Sequence, residues 1–428
     1  MKTIHWVSPL PPDRTDIGHF TNRTLPAFAG KARVTIWTPT EDPIPPDLAG
    51  VEIRRFQRTA EDFQALNRAD AIIYNLGNHG GFHWEIMEMA WTVPGIVILH
   101  EADLHGVFFH YWLERNDRRP IYLRELERAH GAPAIEVAHK VLTGFEPGEA
   151  LKPFPLIAPA LVTAYGAVCH TQLVREEVQR HELPALQVEL PYEAGPLRRQ
   201  VEREGPIRLV QFGYLGSHRR IDSVLDALAR QPNRERFRFD IYGPIWDETL
   251  VRGWIAERGL DAIVTLKGFV PEAELDEALA SADLVFNLRF PTIGEASGSQ
   301  LRIFNAGVPS VVSDIGWFAD LPDETVLKAH PEREAGLIDS YLSDLLADRT
   351  TFDHRGFAGR KRLETVHAPQ AYVDALLAFT EDLPKFRRVV ARQLARHRFV
   401  SVADSVIGWS APSLAERVID RHLSRGSV

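Results

Sequence analysis

A loop in the second half of the chain, GEASGS over residues 294–299, is the strongest candidate for an anion-binding loop. It follows a buried apolar run and leads into a helical pattern. Small residues let backbone N–H groups approach an anion, and the partial positive charge of a helix N-terminus favours one. We therefore predict that Ser297, Gly298 and Ser299 bind a phosphate and that Glu295 accepts hydrogen bonds from hydroxyl groups. An ordinary helix start with a capping serine is the alternative.

A second loop, FGYLGSHRRID over residues 212–222, follows another apolar run. Gly213 and Gly216 permit a tight turn, and Arg219 and Arg220 lie at the start of the next predicted helix. Cations at a helix N-terminus oppose the helix dipole, and a bound diphosphate in bidentate contact with arginine would compensate for this. A surface pair that reaches nearby carboxylates is the alternative.

Polar groups also follow an apolar run in the first half, in the segment HEADLHG. His100, Glu101, Asp103 and His105 are suited there to binding hydroxyl groups or to removing a proton from one. For Asp103 and His105, a hydrogen-bonded structural role is an equal alternative. The two histidines are five residues apart, roughly 140° around a helix, so they do not form a metalloprotease pair.

Asn78 and His79 follow a further apolar run, in YNLGNHGGFHWEI. Asn and His at a strand end can contact a substrate, although they are also common in turns and at helix starts. His79 and His83 have the i, i+4 spacing of a metal pair. No Asp, Cys or third His nearby completes a ligand set, so we predict no metal site.

These loops require a scaffold, and the chain predicts one by alternating short apolar runs with amphipathic segments of helix length. The runs are apolar on both faces, as parallel strands between helices are. Strand–helix alternation predicts a doubly wound α/β architecture. The predicted strands are Thr3–Ser8, Val34–Thr38, Ala71–Asn75, Gly95–His100, Tyr165–His170, Ile207–Gly213, Phe237–Gly243, Ile263–Gly268, Asp283–Asn287 and Val308–Ser313. The predicted helices are Asp16–Ala29, Glu61–Arg68, Thr171–His181, Asp222–Arg230, Asp247–Arg258, Glu272–Ala280 and Ser299–Ala306.

The alternation restarts after LPYEAGPLRRQVEREGP, a stretch rich in Pro, Gly and charge. We predict Rossmann-like domains over residues 1–190 and 207–384, a linker over 191–206 and C-terminal helices over 385–428 that pack back on the first domain. Ligands of such sheets bind beyond the carboxyl ends of the strands. The active site is therefore expected in the cleft between the two halves.

The composition of the chain argues against several classes of protein and site. The chain has 428 residues, 45% of them hydrophobic, with a formal net charge of −9 and one cysteine, Cys169. A single cysteine excludes an internal disulfide and a cysteine-based zinc site, which predicts a cytoplasmic location. No apolar stretch of about 18 residues occurs, so no membrane span is predicted. The acidic balance argues against nucleic-acid binding.

One basic run near the C-terminus departs from this balance. Its helical pattern predicts a solvated face, with peripheral contact to the cytoplasmic face of a membrane as the alternative. The run comprises Lys385, Arg387, Arg388, Arg392, Arg396, His397 and Arg398.

The order of these segments resembles glycosyltransferase family 4, a retaining group with the GT-B fold of two facing Rossmann-like domains. The matching segments are residues 212–227, "GFVPEAELDEALASADLVFNLR", "GEASGSQLRIFNAGVPSVVSD", "SPLPPDRTDIGHF", "PGIVILHEADLH" and "YGAVCHTQLVREEV". The resemblance covers most of residues 1–380. It implies transfer of a sugar from a nucleotide-sugar donor to a carbohydrate, lipid-linked or small-molecule acceptor, with retention and without an essential metal or other cofactor.

The resemblance also implies roles for single residues. Gly18 matches the glycine of an N-terminal loop that faces the donor phosphates, and His100 matches a histidine that contacts the transferred sugar. Gly213 matches the start of a Gly-Arg-Leu donor loop in which Tyr214 replaces the arginine. Arg219 takes the position of a diphosphate-binding lysine. On the acceptor side, the candidates are Asn78, His79, Asp103 and His105.

The family usually has two glutamates eight residues apart. Aligned on "AGVP", the first position falls on Gly294, so the neighbouring Glu295 is assigned contact with the donor sugar. The second position is Arg302, where the family's glutamate holds the nucleotide ribose; we place Arg302 with the phosphate-binding residues. Two alternatives stay open: a sugar-nucleotide epimerase, which can share this two-domain architecture, and a non-catalytic subunit that binds a nucleotide-sugar, which the departures at Tyr214 and Arg302 suggest.

Overall fold

The computed structural model describes residues 1–13, 15–41, 48, 51–200, 204–292 and 294–386. These residues form two compact units: Met1–Val188 together with residues 373–386, and Glu189–Tyr372. Each unit contains one parallel β-sheet packed with helices, so the predicted α/β fold class is confirmed. In this division, residues 189 to 200 belong to the second unit, as do residues 204 to 206.

The first unit is built on a seven-stranded sheet in which every neighbouring pair is parallel. Its strand order is β3-β2-β1-β4-β5-β6-β7, so the order reverses between β1 and β4. The strands are β1 (Lys2–Val7), β2 (Ala32–Thr38), β3 (Glu52–Arg55), β4 (Ala71–Leu76), β5 (Ile96–Leu99), β6 (Gly166–Cys169) and β7 (Ala185–Gln187).

The second unit contains a six-stranded sheet, also parallel throughout, in the order β10-β9-β8-β11-β12-β13. Here the order reverses between β8 and β11. The strands are β8 (Ile207–Phe212), β9 (Phe237–Tyr242), β10 (Val264–Gly268), β11 (Leu284–Asn287), β12 (Ser310–Ser313) and β13 (Leu327–Ala329).

All ten predicted strands are confirmed within a few residues, and all of them except the edge strand β10 are buried over most of their length. β4, for example, reads AIIYNL and is buried at all six positions. β3, β7 and β13 were not predicted, and all three are edge strands. An edge strand has a neighbour on one side only and need not be apolar: β3 reads EIRR and has no buried position.

The seven predicted helices are also present. The helix predicted over Asp16–Ala29 is an α-helix to Thr24 followed by a 3₁₀ turn, Leu25–Phe28. None of the helices in the described ranges is long and apolar enough to cross a membrane. The α-helices are α1 (Asp16–Thr24), α2 (Ala60–Leu66), α3 (Gly80–Thr92), α4 (His105–Phe109), α5 (Arg119–His130), α6 (Ala132–Leu142), α7 (Ala158–Leu161), α8 (Gln172–Arg180), α9 (Ile221–Arg230), α10 (Glu248–Glu257), α11 (Glu272–Ser281), α12 (Gly298–Ala306), α13 (Gly316–Ala319), α14 (Glu334–Ala347), α15 (Asp353–Val366) and α16 (Pro369–Glu381). A π-helix, His110–Arg115, continues directly from α4.

The chain returns to the first unit through the second half of α16. Lys31 Nζ lies 2.5 Å from Asp374 Oδ1, and Lys2 Nζ donates to Thr380 Oγ1 at 3.2 Å. The ring of Phe379 packs against the backbone of Gly166 in β6. Of the predicted C-terminal helices and their basic run, only residues 385 and 386 lie within the described residues.

Candidate functional site

The two loops predicted to bind phosphate leave neighbouring strands of the second unit. One follows β8 and the other follows β11, the two strands between which the strand order reverses. In doubly wound sheets, the carboxyl ends of the strands at such a reversal frame the ligand-binding crevice. The topology therefore brings together two segments that are about 80 residues apart in the sequence, at the position where this kind of sheet binds ligands.

Asn287, the last residue of β11, joins the two loops. Its side-chain Oδ1 accepts a hydrogen bond from Arg219 Nη1 at 3.3 Å. Its Nδ2 donates to Ser297 Oγ at 3.3 Å and to Gln300 Oε1 at 3.0 Å. Asn287 is buried, so these bonds are shielded from water. The sequence reasoning did not single out Asn287 or Gln300 as site residues, although an amide at a strand end was the available signal for Asn287.

Arg219 is a buried cation at the carboxyl end of β8, with only 2% of its surface exposed. Its Nη2 donates to the carbonyl oxygen of Phe212 at 2.9 Å, and its own carbonyl accepts from Gln211 Nε2 at 2.7 Å. Both partners belong to β8, so the Phe212 contact fixes the guanidinium against the strand end and the Gln211 contact fixes the backbone of Arg219. An anion that reaches this position meets a charge that is already oriented.

Two glycines let the ends of β8 and β9 touch. Gly213 has φ +120°, and a Cβ on it would lie 2.7 Å from Arg219 Nη2. Gly243 has φ +108°, and a Cβ there would lie 2.1 Å from the carbonyl oxygen of Gly213. Both positions need glycine for conformation and for space. The predicted tight turn at Gly213 thus also makes room for the buried arginine.

Ser297 caps α12, as the alternative interpretation of this loop proposed. Its Oγ accepts a hydrogen bond from the backbone N–H of Gln300 at 3.1 Å. Gly298 is exposed and Ser299 is half-buried at the first two helical positions. N–H groups in the first turn of a helix have no carbonyl partner within it. The cap is therefore compatible with an anion bound at Gly298 and Ser299, which stays a prediction.

Glu295 is held by its own loop. Its carboxylate forms an ion pair with Arg289, and Thr292 Oγ1 donates to its Oε2 at 3.0 Å. Arg289 is tied to β12 because its backbone N–H donates to Ser313 Oγ at 2.8 Å. Contact between Glu295 and a donor sugar stays a prediction. Arg289 was not among the residues singled out from the sequence.

The other two predicted phosphate-binding arginines are engaged by carboxylates. Arg220 has φ +56°, and its Nε donates to Oε1 of the buried Glu334 at 3.0 Å. Arg302 Nη2 donates to Asp276 Oδ1 of α11 at 2.7 Å. The Glu334 carboxylate thus compensates the Arg220 charge at the start of α9, a role that the sequence analysis assigns to a diphosphate. Each arginine therefore already has a carboxylate partner that partly neutralises its charge before any phosphate binds.

Two predicted residues of the first unit lie near the ends of β1 and β5. His100 follows β5, and its Nε2 lies 3.4 Å from Asn75 Oδ1. Its ring meets Phe20 edge-on at 4.8 Å between centroids and lies 5.1 Å from the ring of His170. Gly18 is buried in the first turn of α1, against the backbone of residues 10 and 11.

The rings around His100 are neutral. Burial, with a smaller effect of the nearby His170 and His83 rings, lowers the pKa of His100 well below 6.5. Burial also lowers the pKa of His83 to about 3 and that of His170 to about 4. His100 is therefore suited to hydrogen bonding rather than to carrying charge. Among the described residues, no group of three or more His, Cys, Asp or Glu side chains is arranged to bind a metal ion.

Three of the four predicted acceptor-side residues line one cavity of the first unit. The cavity has a volume of about 440 Å³, and its wall includes His79, Asp103 and His105. The fourth residue, Asn78, lies beside the wall and accepts a hydrogen bond from the backbone N–H of Gly106 at 2.5 Å. We call this space the α3 cavity because the start of α3 forms one side of it.

Asp103 and His105 hold the α3 cavity wall in place. Asp103 Oδ1 accepts from the backbone N–H groups of His105 at 2.8 Å and Leu156 at 3.1 Å. His105 Nδ1 lies 2.9 Å from the carbonyl oxygen of Phe154, and its Nε2 lies 2.6 Å from Tyr122 Oη. Since a carbonyl only accepts, Nδ1 carries the proton and Nε2 accepts from the tyrosine. Both nitrogens are engaged, which favours the structural role, and burial lowers the pKa of His105.

No protein-family model matches the chain, and no curated protein sequence matches it. Several solved structures are similar along most of their length. HepE from Anabaena in complex with UDP-glucose is 11% identical, over 92% of this chain and 100% of that one, with a TM-score of 0.58. Sucrose-phosphate synthase from Thermosynechococcus elongatus is 15% identical, over 91% and 100%, with a TM-score of 0.57. WaaG, a glycosyltransferase involved in lipopolysaccharide biosynthesis, is 13% identical, over 87% and 98%, with a TM-score of 0.54. The chain therefore has the GT-B fold.

Proposed function

We propose that the protein is a glycosyltransferase that moves a sugar from a nucleotide-sugar donor to a hydroxyl group of an acceptor. The observation that carries this proposal is the Asn287 junction, in which one buried amide side chain connects Arg219 to the start of α12. A diphosphate needs a cation and free N–H donors close together, and these two elements supply them. The GT-B fold supports the same assignment.

In this proposal, the second unit binds the donor. The first-turn N–H groups of α12 at Gly298 and Ser299 contact the diphosphate together with Arg219. When the bond between the sugar and the diphosphate breaks, negative charge grows on the leaving oxygen. Donors that are already oriented stabilise that charge without having to reorganise. Transfer is therefore proposed to proceed without an essential metal ion, which the comparison of EDTA with magnesium below tests.

The remaining steps follow from the family resemblance. The acceptor hydroxyl oxygen forms a bond to the anomeric carbon as the bond to the diphosphate breaks. Its proton passes to the departing diphosphate, and the configuration at the anomeric carbon is retained. Glu295 and the neutral ring of His100 are proposed to hydrogen-bond the sugar as it is transferred. A carbohydrate, a lipid-linked glycan and a small molecule are the proposed classes of acceptor.

The first experiment is a thermal-unfolding screen of the full chain with UDP, GDP and dTDP and with their glucose conjugates. UDP and UDP-glucose lead the set because HepE, a protein of the same fold, was crystallised with each. A ligand that binds only the folded state raises the midpoint, by an amount that grows with its concentration. If none of the six ligands raises the midpoint, the proposal is wrong.

Turnover then separates the proposed function from its alternatives. A binding donor is incubated with and without saccharide acceptors, in EDTA and in magnesium, and the products are identified by mass spectrometry and NMR. We expect a new glycoside that requires the acceptor and forms at a similar rate in EDTA. Conversion of the donor alone into its epimer would indicate an epimerase, and binding without any product would indicate a non-catalytic subunit.

A further inference from the structure

The α3 cavity contains a pair of side chains that neither the sequence analysis nor the proposed donor site uses. His110 and Glu114 lie on its wall with His79, Phe109 and Lys152. At about 440 Å³, the cavity falls within the roughly 300–1,000 Å³ of typical small-molecule sites. Both side chains are partly exposed, 27% for His110 and 57% for Glu114, so the pair is accessible to a ligand.

The pair fixes which nitrogen of His110 accepts a hydrogen bond. Nδ1 lies 2.5 Å from Glu114 Oε2. A carboxylate accepts, so Nδ1 carries the proton, and in the neutral ring Nε2 is then the acceptor. The partner carboxylate also holds the orientation of the ring, as it does for histidines that bind metals or substrates. His110 is thus an oriented acceptor for an O–H group.

The backbone around the pair is held in an uncommon conformation. Residues His110–Arg115 form a π-helix, a rare element that often occurs at functional sites. At its start, a Cβ on Gly80 of α3 would lie 2.2 Å from His110 Cβ, so the two elements are in close contact. At its end, the Arg115 guanidinium stacks 3.6 Å from the centroid of the Trp84 ring. Both ends of the π-helix are therefore packed on α3.

The partner of the His110 ring differs from the partners of the other two histidine rings of the α3 cavity. His105 uses both ring nitrogens within the protein. The ring of His79 packs on that of Phe82, with 4.5 Å between centroids. His110 alone among these three has its ring oriented by a carboxylate. It is the histidine best arranged to accept a hydrogen bond from a ligand.

The wall of the α3 cavity also indicates the chemical class of that ligand. Lys152 and Glu114 add a donor and an acceptor of hydrogen bonds, while Phe109 and Leu151 add apolar surface. A saccharide presents hydroxyl groups at its edge and C–H groups on its ring faces, so it uses both kinds of surface. A wholly apolar acceptor would use only one of these two kinds of surface.

We propose that the α3 cavity binds the acceptor as a saccharide and that His110, oriented by Glu114, accepts a hydrogen bond from one of its hydroxyl groups. This inference rests on the proposed glycosyltransferase function. Glu114 is a positioning residue in this arrangement, and His110 is the residue that touches the acceptor.

The test uses saturation-transfer NMR and calorimetry on the full chain, with methyl β-D-glucopyranoside, methyl β-D-galactopyranoside, N-acetylglucosamine and sucrose as probes. We expect at least one probe to bind and its affinity to fall tenfold or more in H110A. In E114Q, it should fall severalfold, because the amide still reaches Nδ1 but lacks the charge. The matched control is H139A, which removes an exposed histidine of α6 that does not line the cavity.

Thermal midpoints check that the variants fold, and UDP binding is measured on each of them. If the enzyme transfers a sugar to the bound probe, H110A should raise the KM for that probe and leave the KM for the donor unchanged. A structural defect would change both constants. The inference is overturned if no probe binds while UDP does, or if H110A and H139A bind the probe equally well. If the unaltered protein binds none of the six nucleotide ligands of the first screen, the proposed function itself is refuted instead.

Discussion

Replacing Asn287 with Asp tests the Asn287 junction by changing the charge of one side chain. The two side chains have the same shape, and a carboxylate still accepts from Arg219 Nη1, now 3.3 Å away. Ser297 Oγ lies 3.3 Å away on the other side, and its hydroxyl can rotate to donate to the new oxygen. The bond to Gln300 Oε1 is lost unless the Gln300 amide turns over to donate. The main effect of N287D is to pair the buried guanidinium with a negative charge.

The expected effect on donor binding follows from that pairing. A phosphate bound about 5 Å from the Arg219 guanidinium loses roughly 3 kcal/mol of electrostatic attraction when that charge is neutralised, at an effective dielectric constant of about 20. Since about 1.4 kcal/mol is a factor of ten, affinity should fall on the order of a hundredfold. The loss of one hydrogen bond, to Gln300, should cost about 1 kcal/mol of unfolding free energy, which lowers the midpoint of a unit of this size by roughly 2–4 °C.

Isothermal titration with UDP, or with whichever nucleotide the screen selects, measures the first effect, and thermal unfolding of the free protein measures the second. N305D is the matched control, because Asn305 Oδ1 accepts from Arg360 Nη1 at 2.8 Å and from the backbone N–H of Gly195 at 3.0 Å, and neither donor belongs to a phosphate loop. We expect N305D to bind the nucleotide normally. The reasoning is refuted if N287D binds within threefold of the unaltered protein, or if both variants lose affinity equally.

Two further predictions concern stability. Lowering the pH from 7 to 5 should weaken folding, because His83 and His170 stay neutral when folded and unfolded histidines take up protons below about pH 6.5. Each ring should lower the unfolding free energy by about 2 kcal/mol at pH 5, and equal stability in urea at the two pH values would contradict this. G243A should destabilise the second unit by about 2 kcal/mol or more, since its Cβ would meet the carbonyl oxygen of Gly213. G253A, inside α10 with open space around the new Cβ, should instead stabilise the second unit by about 0.5–1 kcal/mol. A destabilised G253A would contradict this distinction between the two glycines.

The fold could be predicted from the sequence wherever burial leaves an unbroken apolar run. β4 and β12 are buried at every position and were predicted. β3 and β7 have no position that is fully buried, and β13 is only three residues long. Such strands are defined by pairing with a neighbour, and the local sequence carries little information about that pairing. The missed elements are therefore edge strands rather than central ones.

The candidate site could be predicted only in part, for a related reason. Glycine and serine after a strand form a local pattern, so the sequence could point to both loops of the second unit as candidates, and anion binding by them stays a prediction. The partners of the polar side chains come from distant parts of the chain. Arg220 meets Glu334, 114 positions away, and Arg219 meets Asn287, 68 positions away. No local pattern distinguishes an arginine that is paired in this way from one that awaits a ligand.

The return of the chain to the first unit has a consequence for its synthesis on the ribosome. The second unit is one continuous stretch, Glu189–Tyr372, whereas the first unit also uses residues from Val373 onward. The second unit can thus emerge and fold while the first still lacks Phe379, the ring that packs against Gly166 of β6, and the acidic partner of Lys31. During that interval, the nascent first unit exposes the β6 surface that Phe379 later covers, so the half of the protein that is made first is completed last.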